Sequence, residues 1–478
     1  MTDNAQNLNL EDARVVVLGF GRSGRAVARH ALAGGAKVVV SDRRSPSSLK
    51  AEQPFSRIDE IDFVDEERSA AAIDAADLVV VSPGVPAHAA PLLHARSMGR
   101  PVISEIDLVA SAVGDRTIAI TGSNGKSTTT ALTAAIFCAA GFEGIPCGNY
   151  GRPLVDAVEN DHADRRYALE MSSFQLETTS RLRAAAVIIL NIQADHLDRH
   201  GSLDAYANLK LSLAALRRPG AAAVVFEDDE VIAAAMDGLA APLLPISLGT
   251  RQAKGGWLDG DQLVVDVGEN DDASVHGTRR IVRLGSRSEM PLAGSHNVVN
   301  ILSAAAAASS VGISASAVRK ALDGFHALPH RLEPIAEIDG IRFINDSKAT
   351  NVSSTMAAVE ALATPDARLI LLLGGRDKDS DFRALAGRID TIGATAVTFG
   401  EAGSKIGDVL AAELSEKRII RCETLQEAIE SARNAAEPGD TVLLSPACAS
   451  FDAFESFAER GEVFTSCVRS LASETRHG

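Results

Sequence analysis

The stretch Thr117-Ile-Ala-Ile-Thr-Gly-Ser-Asn-Gly-Lys-Ser-Thr-Thr-Thr-Ala-Leu-Thr133 decides the fold. Its apolar, β-branched start reads as a buried strand, the Gly-Ser-Asn-Gly turn breaks it, and the Thr- and Ala-rich run after Lys126 reads as a helix. A strand feeding a helix through a glycine turn is the repeating unit of a parallel sheet covered on both faces. At such a turn, successive backbone N–H groups at the helix start can cradle phosphate oxygens. Lys126 can reach the terminal phosphates of a nucleoside triphosphate, and the Ser127 hydroxyl can ligate Mg²⁺. Gly122, Ser123, Asn124, Gly125, Lys126, Ser127 and Thr128 are therefore the candidate nucleotide-binding set. The general P-loop pattern G-x-x-x-x-G-K-[ST] is met only in part, because Ile120 stands where its first glycine belongs.

Outward from this stretch the same alternation recurs. Arg14-Val-Val-Val-Leu18, Lys37-Val-Val-Val-Ser41, Leu78-Val-Val-Val-Ser82 and Ala186-Val-Ile-Ile-Leu190 are continuous apolar strands separated by Ala-rich amphipathic stretches, so the fold class is α/β throughout. A chain of 478 residues exceeds what one core can hold. Three segments each restart the pattern with their own glycine loop, predicting three domains on mainly parallel sheets at 1–113, 114–328 and 329–478. Thr250–Arg283, rich in Gly and Asp, reads as a β excursion inside the second.

Composition limits the partners. Forty-seven basic against 63 acidic side chains give a net charge of −16, so no long-range field draws in nucleic acid or an anionic membrane. The five cysteines, Cys138, Cys147, Cys422, Cys448 and Cys467, lack Cys-x-x-Cys spacing, which argues against a disulfide framework or a zinc site and for a reducing cytoplasm. The start has no basic-then-apolar signal, and no apolar run approaches the ~20 residues needed to cross a bilayer.

Further candidates sit at other strand ends. Gly19-Phe-Gly-Arg-Ser-Gly24, with Asp42 closing the next strand, fits a dinucleotide or nucleotide-sugar site; a glycine turn that merely packs helix on strand is the alternative. On this motif alone a nicotinamide-dependent oxidoreductase stays open. Glu170 and His196 each follow a strand at positions suited to metal ligation, while Lys210, in a helical stretch, reads by default as a solvated charge. Asn345-Asp-Ser-Lys-Ala-Thr350 and Leu373-Gly-Gly-Arg-Asp-Lys378 follow strands of the third segment, as ligand loops or as surface turns.

Taken together, Gly122–Ser127, Gly148-Asn-Tyr-Gly151, Leu169-Glu-Met-Ser-Ser-Phe-Gln-Leu176, Asp195-His-Leu-Asp198, Gly294-Ser-His-Asn297, Leu328-Pro-His-Arg331, Asn345–Thr350 and Ser445-Pro-Ala-Cys-Ala-Ser450 resemble the Mur ligases of bacterial cell-wall synthesis. The resemblance covers essentially the whole chain, and the short P-loop is that family's own form. It implies a Rossmann-like N-terminal domain for a UDP moiety, a central P-loop ATPase and a dinucleotide-fold-like C-terminal domain that brings an amino acid. Within the family it points to the branch that joins D-glutamate to UDP-N-acetylmuramoyl-L-alanine, because neither the Asp-Asn-Pro-Arg signature nor the paired-His loop of the sibling branches occurs. L-glutamate is the nearest alternative amino acid.

The resemblance further implies ATP and two divalent sites for Mg²⁺. Lys126 and Ser127 would serve the phosphates and one ion with Glu170; His196 would help place the second; Lys210 resembles the family's carbamylated lysine. Asn149 and Ser172 would touch the substrate near its reacting carboxylate, and Asn297, Asn300, Arg331, Asp346 and Lys348 would hold the nucleotide. Thr350, Lys378, Ser450, Phe451 and Phe457 would receive the amino acid, and Ser23, Asp42, Arg44, Ser82 and Gly84 the UDP. A cytoplasmic monomer without nucleic-acid or membrane partners is expected.

Overall fold

The structure is a computed structural model and describes residues 8–51, 55, 57–249, 254–269, 279–292, 294–364, 367–415 and 418–475. The first sheet is formed by β1 (Arg14–Leu18), β2 (Lys37–Asp42), β3 (Ile61–Asp65), β4 (Leu78–Val81) and β5 (Val102–Ser104), in the order β3-β2-β1-β4-β5. All its pairings are parallel. Val15, Val16, Val17 and Leu18 of β1 are all buried, as a strand covered on both faces requires, and each contributes about 1.5–3 kcal/mol relative to exposure. The strand order turns back between β1 and β4, so the loops after these two strands open a crevice at their carboxyl ends. The helix Arg22–Ala33 after β1 packs closely through Gly24, where an added Cβ would lie 1.9 Å from the Gly19 carbonyl oxygen.

The second sheet contains β6 (Thr117–Thr121), β7 (Glu143–Gly148), β8 (Arg165–Glu170), β9 (Ala184–Ile189), β10 (Arg217–Phe226), β11 (Leu243–Ser247), β12 (Gly255–Asp259), β13 (Gln262–Glu269) and β14 (Arg279–Ser286). Their order is β14-β13-β12-β11-β10-β9-β6-β8-β7, parallel from β7 to β12 and antiparallel for the β12-β13-β14 edge. That edge is the β excursion read from the sequence, of which residues 250–253 and 270–278 lie outside the described residues.

The third sheet is built from β15 (Glu333–Ile338), β16 (Ile341–Asn345), β17 (Leu369–Gly374), β18 (Thr395–Phe399), β19 (Ile419–Arg421) and β20 (Thr441–Ala447), ordered β15-β16-β20-β17-β18-β19. Only β15 runs antiparallel to its neighbour.

The chain divides into two compact units, Met1–Met290 with Val298–Phe325, and Pro291–Asn297 with His326–Gly478. The first unit holds two sheets because one continuous apolar cluster runs from Leu10 through Val15, Ile106 and Val113 to Leu169, Val187 and Ile232. The helix Glu105–Val113 is the bridge: seven of its nine residues, including Ile106, Leu108 and Val109, are buried. The second unit buries two clusters, one on each side of its sheet, around Leu371 and Leu443 and around Phe343 and Val442. Among the described residues, no helix is long and apolar enough to cross a membrane.

Candidate active site

The turn after β6 leads into the helix Lys126–Ala139. Gly125 has φ +82°, and a Cβ there would lie 2.3 Å from Asn300 Oδ1, so the position requires glycine. The turn is propped from the end of β9: Ser123 N donates to Asn191 O at 2.8 Å, Asn124 N to Asn191 Oδ1 at 2.8 Å, and Gln193 N to Ser123 Oγ at 2.9 Å. Ser127 and Thr128 are buried in the first helical turn. Lys126 Nζ donates to Gly122 O at 2.9 Å and Ser123 O at 2.8 Å. Lys210 Nζ donates to the same Gly122 O at 2.7 Å, so two amines converge on one carbonyl.

Lys210 is not solvated: it is 1 % exposed on the helix Leu203–Leu211, with Nζ 4.5 Å from the centre of the Tyr206 ring. Burial first, and then Lys126, drives its amine well below the usual lysine range, against the opposing pull of Asp195 and Glu170. Glu170 ends β8 and is 1 % exposed. Its Oε1 accepts from Asn149 Nδ2 at 2.6 Å, while its buried Oε2 has no hydrogen-bond partner among the described residues. His196 follows β9 in a left-handed conformation, φ +54°, with its ring 4.9 Å from that of Phe174. Ser172 serves its own turn: its hydroxyl accepts from Gln175 N at 3.2 Å and donates to Gln175 Oε1 at 3.1 Å. Asn149, Glu170, the Lys126 turn and His196 thus follow β7, β8, β6 and β9, four consecutive neighbours in the sheet.

A cavity of about 400 Å³ opens at the crevice of the first sheet. Ser23, Asp42, Ser82 and Gly84 line it, and Asn149 and Gln175 close its far side. Arg44 lies beside this cavity and grips Asp42, with Nε to Oδ1 and Nη2 to Oδ2 both at 2.9 Å. Burial of Asp42 opposes ionisation, but the Arg44 fork and the N–H groups of Arg44 and Phe20 outweigh it and hold the carboxyl at about 2. Ser82 Oγ donates to Gly19 O at 2.8 Å and pins the first glycine turn.

In the second unit, β16, β20 and β17 are adjacent and bring their following loops to one edge. Asp346 accepts from Ser445 Oγ at 2.9 Å and from Leu332 N at 3.2 Å; burial pushes its carboxyl up to about 7, although these bonds and Arg331 pull the other way. Lys348 Nζ sits 3.8 Å from the centre of the Phe457 ring. Thr350 lies in the same loop, Lys378 follows β17, and Ser450 and Phe451 follow β20. Ser450 is 2 % exposed and Phe451 61 %. Asn297 is buried on the helix Ser295–Ser310.

Three family models match in succession: "Mur ligase MurD-like, N-terminal domain" over residues 13–104, "Mur ligase middle domain" over 120–308 and "Mur ligase, glutamate ligase domain" over 330–448. A protein of Acidobacterium capsulatum is 40 % identical over 465 residues, which is 96 % of this chain and 97 % of that protein. One of Pelotomaculum thermopropionicum is 38 % identical over 463 residues, 96 % and 98 % of the two chains. Both carry the name UDP-N-acetylmuramoylalanine--D-glutamate ligase. This chain belongs to the Mur ligase family. It is an ATP-dependent ligase that forms a carbon–nitrogen bond, and the oxidoreductase reading of Gly19–Gly24 falls away. Solved structures share the three-sheet α/β fold. A pseudomurein peptide ligase type C from Methanothermus fervidus has a TM-score of 0.59 at 17 % identity, covering 96 % of this chain and 100 % of its own. MurF from Thermotoga maritima, in complex with ADP, has a TM-score of 0.57 at 15 % identity, covering 97 % and 96 %.

The Mur ligase also uses residues the sequence did not single out. Asn191, Gln193 and Tyr206 hold the Lys126 turn, Tyr206 through its hydroxyl 3.1 Å from Ser123 Oγ. Arg460, fully buried, makes six hydrogen bonds, to Ser347 Oγ and O, Gly374 O, Cys448 O twice and Ala449 O, so it binds all three loops of the second unit. Burial lowers this guanidinium to about 10. An arginine in an amphipathic helical pattern reads as a surface charge, so only the strand-end loops it follows hinted at it. As for a cation, the unpartnered buried Glu170 oxygen beside Asn149, at the edge that also carries Ser127, is what a divalent ion would relieve, and these residues fit one.

Proposed function

We propose that this Mur ligase joins D-glutamate to UDP-N-acetylmuramoyl-L-alanine with ATP, in cytoplasmic peptidoglycan precursor synthesis, and works as a monomer. The single observation that carries the reading is the edge where Lys126, Lys210 and Glu170 meet; the names and full-length identity of the relatives support the choice of substrates. We take the domains as 1–113, 114–328 and 329–478, a division supported by the three sheets and by the spans of the family models.

A carboxylate is a poor electrophile because it has no adequate leaving group. Its oxygen attacks the γ-phosphorus of ATP, the bond to the β,γ-bridging oxygen breaks, and ADP leaves an acyl phosphate behind. The amine of glutamate then attacks the acyl carbon, and phosphate departs as the amide forms and one proton is released. In this scheme the N–H groups at the helix start, from Gly125 to Ser127, and the Lys126 ammonium hold the β- and γ-phosphates, and Asn149 steadies Glu170 while facing the carboxylate substrate. Ser127 and Glu170 would hold one Mg²⁺, and His196 with a carbamylated Lys210 the second. When bound, such ions neutralise charge between the acyl and phosphoryl oxygens. Asn300, Asn297, Arg331, Asp346 and Lys348 serve the nucleotide; Thr350, Lys378, Ser450, Phe451 and Phe457 the glutamate; Ser23, Asp42, Arg44, Ser82 and Gly84 the UDP; Ser172 shapes the turn beside the carboxylate.

The test is phosphate release with ATP, UDP-N-acetylmuramoyl-L-alanine and a panel of D- and L-amino acids. D-glutamate is expected to support turnover. Release with L-glutamate or meso-diaminopimelate in its place overturns the specificity, and no release with any acceptor overturns the substrate pair.

A further inference from the structure

The glycines of Gly19–Gly24 shape the turn, but no turn geometry calls for the arginine among them. Arg22 leaves the first sheet and reaches the loop that follows β7: its Nη1 donates to Gly151 O at 3.0 Å, and its Nη2 to Gly148 O at 3.2 Å and Asn149 O at 3.0 Å. Among the described residues it makes no hydrogen bond to a carboxylate. Three neutral carbonyls absorb its donors, a use of the planar guanidinium that sets geometry more than it balances charge.

The receiving loop is stiff. Gly148 and Gly151 have φ of +93° and +78°, and a Cβ on either would meet the Glu170 or Pro146 carbonyl oxygen at 2.3 or 2.7 Å. Its Asn149 is tied twice to the catalytic edge, through N to Glu170 O at 3.0 Å and through Nδ2 to Glu170 Oε1 at 2.6 Å. Arg22, Ser23, Gly148 and Asn149 also line the first-sheet cavity. A contact chain therefore runs from the cavity wall through Arg22 and Asn149 to Glu170.

We propose that Arg22 is a positioning residue: it sets the Gly148–Gly151 loop so that Asn149 holds Glu170 in place, and it links occupancy of the first-sheet cavity to the readiness of the catalytic edge. This rests on the ligase reading above. Arg29, about two turns further along the same helix, supplies the control, because it pairs with Asp156 at 2.8 Å across the same two sheets without touching Asn149.

The experiment compares Arg22→Ala, Arg22→Lys and Arg29→Ala with the parent in steady-state phosphate release and in amide hydrogen exchange over 148–152. Arg22→Ala is expected to lower kcat about tenfold with the KM for ATP unchanged, as a small misplacement of a positioned group does. Millimolar guanidinium should restore part of the loss, and the Asn149 amide should exchange faster. Arg29→Ala should keep kcat within twofold. Arg22→Lys, which keeps the charge without the fork, is expected to lose at least threefold and carries the test should the alanine variant fail to fold. Unchanged kcat and unchanged Asn149 exchange in the Arg22 variants overturn the proposal, as does an equal loss in Arg29→Ala. Should the parent itself release no phosphate, the ligase reading fails while the exchange data still judge Arg22.

Discussion

Lys210 carries the sharpest chemistry of any single residue here. An ammonium buried to 1 % exposure beside a second lysine is costly, and the strain is relieved when the amine sheds its proton. Under the proposed carbamylation, the neutral amine adds to the carbon of CO₂ and releases one proton, and the carbamate would be an anionic oxygen donor. Lys210→Ala is therefore expected to lower phosphate release by about a hundredfold or more, the scale of losing a positioned electrostatic group, and formate or acetate should return part of it. Activity within a fewfold of the parent would remove Lys210 from the site. The residue shows where sequence reading stops: Asn-Leu-Lys-Leu in a helical run looks solvent-facing, and only the placement of Tyr206 and of the Gly122 carbonyl buries it. The Lys126 turn was legible because it is local; the burial of Lys210 and Arg460 was not, because their partners are distant in the chain, and Lys210 entered the candidate site only through the family resemblance.

At the scale of elements, the strands were legible because continuous β-branched runs allow little else, and the β12-β13-β14 edge was legible from a stretch rich in Gly and Asp. That the first two sheets share one apolar cluster was not legible, since the buried pattern of the helix Glu105–Val113 does not say which sheet covers which face. That helix carries a pH-sensitive group. Glu105 is 1 % exposed, its Oε2 accepts from Val155 N at 3.3 Å, and its Oε1 has no hydrogen-bond partner among the described residues. Burial first, helped by Asp156 and opposed by backbone N–H groups and Arg22, raises its carboxyl from 4.5 to about 7. Between those values the folded chain retains a proton that the unfolded chain has released. Stability therefore falls as pH rises through this window and levels off above it, by on the order of 3 kcal/mol in all. Glu105→Gln should lose this slope, so its Tm should gain on the parent between pH 5 and pH 8. Parallel Tm curves for the two proteins would show that Glu105 is not the titrating group.

For the whole molecule, a net charge of −16 gives anionic ligands no long-range attraction, so the proposed hold on phosphate falls to a local device in the first unit, the helix start with its Lys126 ammonium. The second unit has its own two-sided core, so a fragment spanning 326–478 is expected to fold alone and melt in one cooperative transition followed by circular dichroism. A fragment that melts without cooperativity would show that its sheet depends on the rest of the chain. In the first unit, the consecutive ends of β9, β6, β8 and β7 act as a gauge. Strands in a sheet stand about 4.8 Å apart, so the Lys126 turn and Asn149, two steps removed, are separated by roughly 10 Å of backbone that no side chain can shorten. Because the carboxylate oxygen must reach the γ-phosphorus itself, the side chains of Lys126, Glu170 and Asn149 have to cross that interval from either end, and a compact mimic of the joined carboxylate and phosphate engages both ends only through them.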